Sequence, residues 1–177
     1  LPQMARAVLW AALAVVVVQS ALGGWVSTNY AVLACTGFPS CQGNWWPHME
    51  FRAGFELWRE LGKTGAGEHI GFGALTAIHY THRMAAVVAL AAIGLASWHL
   101  RRSPALRPQS RWLAGLAVWQ LVTGVSNVVL GWPLLAAVSH TGGAAALIVV
   151  LTWALAASRA ATATVSSSQF TATGQSA

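Results

Sequence analysis

Four apolar runs, at about 7–27, 75–99, 110–131 and 134–158, alternate with polar links along the chain. Each is about 20 residues or longer, which at about 1.5 Å per residue carries a helix across the hydrocarbon core of a bilayer. Backbone groups in lipid must satisfy one another, so the runs predict transmembrane helices. Ser103-Pro104 and Arg107-Pro108 separate the second helix from the third. Gly131-Trp132-Pro133 is a very short turn, which makes the third and fourth an antiparallel hairpin. The first and second are joined by a long polar stretch, 28–74. Within it, Phe51, Phe55, Trp58 and Leu61 recur at helical spacing and predict a helix from Glu50 to Leu61. That helix either packs on the bundle or lies at the membrane surface as a lid. The expected fold class is all-α: a polytopic membrane four-helix bundle over residues 1–160 with a long extracytoplasmic loop. The Ser-, Thr- and Ala-rich tail, 161–177, is expected to be disordered.

Charge sets the orientation. Only 8% of the 177 residues are charged, against about a quarter in soluble domains. The net charge of +6 does not indicate a nucleic-acid binder, because the basic residues fall between apolar runs and form no patch. Arg6, the cluster Arg101, Arg102, Arg107 and Arg111, and Arg159 share one side if the chain crosses four times. The positive-inside rule makes that side cytoplasmic. Both termini are then inside a bacterial inner membrane and 28–74 is periplasmic. Ten tryptophans suit a protein with many membrane–water boundaries. The first run has no small-residue cleavage site with a polar region after it, so it reads as a span and not a signal peptide. The chain opens Leu-Pro-Gln, and a piece of a longer protein is expected.

Candidate chemistry centres on Thr76 to Met84, which puts His79 and His82 one helical turn apart in an apolar run. An ionisable group inside a span is costly and marks function by default. His140, followed by Thr141-Gly142-Gly143, is the third. His82 and His140 both fall about 10 Å below the outer boundary, on helices of the same direction. Two imidazoles at one depth suit the axial ligation of a heme iron. Zinc is the rival, weakened by the scarcity of carboxylates nearby. Arg83 is a candidate for a heme propionate. His79 has three open roles: a substrate-side catalytic group, a ligand to a second cofactor, or a hydrogen-bonding partner. Gln19, Ser126 and Asn127 read as helix–helix bonds. Cys35 and Cys41 lie on the outer side and are expected to form a disulfide, a metal or redox-active thiol pair being the alternative.

Several motifs then fall into one pattern: Gly23-Gly24-Trp25-Val26-Ser27-Thr28-Asn29-Tyr30, Ala34-Cys35, Cys41-Gln42-Gly43, Leu57-Trp58-Arg59-Glu60-Leu61-Gly62, Ala77-Ile78-His79-Tyr80-Thr81-His82-Arg83 and His140-Thr141-Gly142-Gly143. In this order they resemble heme A synthase of the proteobacterial type, up to about residue 158. The resemblance implies eight spans in two four-helix halves, with this chain similar to the C-terminal half. It implies oxidation of the C8 methyl of heme O to the formyl of heme A, for cytochrome c oxidase assembly. It implies a heme b whose iron is held by His82 and His140. Implied partners are heme O as substrate, heme O synthase, the N-terminal half and membrane lipid, with self-association left open. Where the family's first half carries a glutamate, one turn before its second-helix histidine, this chain has His79, and its spans contain no carboxylate. The alternative is a bis-histidine membrane cytochrome that only transfers electrons.

Overall fold

A computed structural model describes residues 3–174, with side chains to residue 159. The helices are α1 (Gln3–Thr28), α2 (Phe51–Gly54), α3 (Phe72–Leu100), α4 (Arg107–Val129) and α5 (Leu134–Gly174). Among the described residues, four helices are long and apolar enough to cross a membrane: α1, α3, α4 with the turn before it, and α5. The protein is an all-α polytopic membrane protein. The backbone carries α5 past the expected end at 158. Of the tail expected to be disordered, 161–177, the backbone is described as helix to Gly174, and the side chains from residue 160 onward lie outside the described residues.

Each break has a local cause. Pro104 opens a 3₁₀ turn, and Pro108 sits in the first turn of α4, where its missing N–H costs nothing. The α4–α5 turn needs left-handed backbone at Gly131 (φ 69°), a conformation glycine adopts without strain. Gly23 and Gly24 do not break α1.

The four long helices form a closed ring of neighbours: α1 packs on α3, α3 on α4, α4 on α5 and α5 on α1. Helices α3 and α5 therefore face each other across the diagonal. Two apolar clusters fill the core. The larger joins Leu9, Val16, Ile93, Leu100, Leu113 and Leu151 at one end of the bundle. The smaller joins Val26, Ala31, Ile70, Ala74 and Ile78 beneath the 29–71 connection. Between them, over 17–25 of α1, 79–88 of α3, 114–129 of α4 and 134–146 of α5, no hydrophobic side chain is fully buried.

The helix expected from Glu50 to Leu61 is only the four residues of α2. The backbone of α2 lies so close to α3 that a Cβ at Gly54 would stand 2.8 Å from the Ala74 carbonyl oxygen. The carbonyl of Gly54 accepts from Trp25 Nε1 at 3.0 Å and from Arg59 Nη2 at 3.5 Å. Side chains thus take the backbone groups that a longer helix would use itself. Trp58, placed on the expected apolar stripe, is 95% exposed.

Candidate functional site

Helix α3 carries a polar stripe, Thr76, His79, Tyr80 and Arg83, at helical i, i+3, i+4 and i+7 spacing. Every member binds the 29–71 connection. Gln42 Nε2 donates to Thr76 Oγ1 at 3.0 Å. Buried His79 holds the Ala31 carbonyl through Nδ1 at 2.9 Å. Tyr80 donates to the carbonyl of Trp45 at 2.6 Å. Arg83 donates through Nη2 to the carbonyls of Cys35 (2.8 Å) and Gly37 (3.1 Å), and through Nη1 to that of Ser40 (3.2 Å). Cys35 and Cys41 are joined by a disulfide, so Arg83 grips the small loop that this bond closes. Arg83 Nε is buried and has no partner among the described residues. Of the three roles open to His79, the geometry displays the hydrogen bond.

His82 and His140 lie off this stripe, in the stretch of the bundle where no hydrophobic side chain is fully buried. They come from diagonal helices, α3 and α5. Each is held by the helix beside it in the same way. Gln19 of α1 donates to the His82 carbonyl at 3.1 Å, and Gln120 of α4 donates to the His140 carbonyl at 2.9 Å. Four residues after each glutamine comes a glycine under the imidazole. A Cβ on Gly23 would stand 3.2 Å from His82 Cε1, and one on Gly124 would stand 3.1 Å from His140 Cε1. Gln19 precedes the end of α1, and Gln120 the end of α4, by the same number of residues. The bundle is thus a two-helix unit used twice, Gln-x-x-x-Gly on one helix and His on the next.

Gln19 is the helix–helix bond expected; Gly23 was expected only as part of a family motif, and Gln120, Thr123 and Gly124 were not expected at the site. The signal was available: Gln19-Ser-Ala-Leu-Gly23 and Gln120-Leu-Val-Thr-Gly124 share one pattern at one place in two spans. Gly143 lets α5 approach α4, since a Cβ there would meet the Gln120 amide and the Trp119 ring.

The ring nitrogens are unequally engaged. His140 Nδ1 is 2.9 Å from Thr123 Oγ1, and His140 Nε2 has no hydrogen-bond partner among the described residues. His82 Nδ1 is 3.1 Å from Gln19 Nε2, which also lies 3.5 Å from His82 Nε2. Gln19 Oε1 is buried without a partner. These features fit a heme: an imidazole on each of two diagonal helices where the apolar core is interrupted, His140 Nε2 left for metal, and a buried Arg83 Nε without a partner among the described residues one position from His82. Among the described residues no three His, Cys, Asp or Glu side chains come together as a metal-ion site. His48 lies in the connection, exposed, 3.4 Å from Glu50.

Comparison with known proteins bears on this arrangement. A family model described as cytochrome oxidase assembly protein matches residues 1–152. The heme A synthase of Shewanella oneidensis is 38% identical over 137 residues, which cover 77% of this chain and 42% of that protein. The chain therefore spans less than half the length of this relative. No solved structure matches it. With the match running through every helix that builds the site, the chain belongs to the cytochrome oxidase assembly protein family, in which heme A synthase is its relative.

Proposed function

We propose that the chain is the heme-b-holding part of a heme A synthase, its iron ligated by His82 and His140. The observation that supports this is that two histidines on diagonal helices are each set over a glycine of the neighbouring helix, in a stretch where no hydrophobic side chain is fully buried, in a chain of this family. When bound there, the heme supplies an iron that takes up and gives back single electrons. The chain's residues hold it. Gln19 and Gln120 tie the two histidine backbones to neighbouring helices. Gly23 and Gly124 leave room for the rings. Arg83, fixed on the disulfide loop, keeps Nε for a propionate oxygen.

The reaction of the whole enzyme is, on this reading, oxidation of the C8 methyl of heme O to the formyl of heme A, an oxidoreductase step in cytochrome c oxidase assembly. Heme O synthase supplies the substrate, and the oxidation takes place in a partner half with its own histidine pair. Arg6, Arg101, Arg102, Arg107, Arg111 and Arg159, six of the 10 basic residues, gather at one end of the bundle, where Arg101 stacks 3.4 Å over Trp98 and Arg159 lies 5.8 Å from Trp10. By the positive-inside rule that end faces the cytoplasm of a bacterial inner membrane, and the 29–71 connection faces outward.

A second reading, an electron-transferring b-type cytochrome with no substrate, is favoured by one observation. All 4 acidic residues are glutamates at 50–68, outside the spans. The ligand assignment is tested on the purified chain loaded with hemin. The wild type is expected to give a six-coordinate low-spin spectrum, and His82→Ala and His140→Ala each to lose or convert it. If both variants keep the wild-type spectrum, the assignment is wrong.

A further inference from the structure

The two-helix unit is used twice, but its copies differ at one position. Three residues after Gln120 stands Thr123; three residues after Gln19 stands Leu22. This difference decides how each imidazole is held. Thr123 is buried, and its hydroxyl has two short contacts: the Trp119 carbonyl at 2.7 Å and His140 Nδ1 at 2.9 Å. A carbonyl only accepts, and a hydroxyl has one hydrogen. Placed on the Trp119 carbonyl, the shorter of the two contacts, that hydrogen leaves the Thr123 oxygen to accept from His140 Nδ1–H, and the Gln120 backbone carbonyl is a further partner of the same ring. The lone pair of His140 is then on Nε2, the nitrogen with no partner among the described residues. Leu22 offers His82 no such group. Among the described residues, the polar side chain at His82 Nδ1 is the Gln19 amide, whose Oε1 is buried and unpartnered there.

We infer that Thr123 is a positioning residue that fixes His140 as an Nε2 donor to iron, leaving His82 as the adjustable ligand, set by the Gln19 amide. This rests on the proposed heme reading. The chemistry follows from the second shell of a metal-bound histidine: a hydrogen bond accepted from Nδ1–H orients the ring and raises its basicity. A more basic imidazole favours the ferric state. Thr123 therefore lowers the reduction potential of the heme and strengthens its retention, without touching it.

The test compares the full-length wild type, Thr123→Val, Thr123→Ser and Thr123→Ala, each titrated with hemin and poised through its reduction potential. Thr123→Val keeps the shape and removes the acceptor. It is expected to stay six-coordinate and low-spin, to bind hemin about 10-fold to 100-fold more weakly, and to shift its potential upward. Thr123→Ser, which restores the hydroxyl, is expected to return both values toward wild type. Thr123→Ala reads the same loss if the valine variant does not accumulate. Wild-type affinity and potential in the variants lacking the hydroxyl would overturn the role of Thr123 and leave the ligand pair standing. Equal loss in the serine and valine variants would also overturn it, since packing would then be the cause. A wild-type chain that takes up no low-spin heme would overturn both.

Discussion

Gly124 and Gly23 show how little space the imidazoles are given. In an exposed helix interior, Gly→Ala gains up to about 1 kcal/mol from helix propensity. Here a Cβ would stand 3.1 Å from His140 Cε1 or 3.2 Å from His82 Cε1, tighter than ordinary contact. The ring must give by a few tenths of an ångström, and a ligand's position is what the site is built to fix. Gly124→Ala and Gly23→Ala are each expected to release heme at lower temperature than wild type while the helices themselves melt no earlier. Following the Soret band and far-ultraviolet circular dichroism in one thermal scan checks this; parallel loss of both signals would place the effect on the fold. At this scale the two histidines were legible, because an ionisable group in a span stands out against its apolar neighbours. Thr123 was not, because a threonine in a span ordinarily bonds its own helix carbonyl, as Thr123 also does.

Helix α3 does two jobs on two faces. One face turns His82 toward α1, and the other uses Thr76, His79, Tyr80 and Arg83 to hold the backbone of the 29–71 connection. Hydrogen bonds from a charged donor contribute about 1.5–3 kcal/mol each at most, and Arg83 makes three. Arg83→Lys retains the charge but loses the planar fork that reaches all three carbonyls. It is expected to loosen residues 35–41 while leaving α3 intact. Hydrogen exchange should rise at the amides of that loop and stay unchanged at Ala89 to Ala96; unchanged exchange in the loop would show that the disulfide alone holds it. The four spans could be read from apolar length, with ends shifted by a few residues: 75–99 became Phe72–Leu100 and 110–131 became Arg107–Val129. The Glu50–Leu61 helix could not, because its periodicity was real but its backbone partners came from Trp25 and Arg59.

At the scale of the molecule, the bundle is a ring of four helices with an apolar cluster joining all four at one end and a smaller one joining α1, α3 and the connection at the other. Neither the ring order nor the internal repeat follows from apolar length; both depend on which faces meet. The two proposed readings part here. A carboxylate within the spans would stabilise positive charge or accept a proton beside an oxidised ring edge, and the spans have none. Membranes holding only this chain, given heme O, are therefore expected to yield no heme A above empty membranes, as read by chromatography and mass. Heme A above that background would mean that the chain completes the reaction itself.

The central claim is that one heme sits between His82 and His140, and magnetic circular dichroism of the ferric, hemin-loaded full-length chain tests it most directly. This measurement reports the chemical identity of both axial ligands. A low-spin signature of two neutral imidazoles, at one heme per chain, is the expected result. A high-spin signal, or a low-spin signal with a single imidazole, would contradict it.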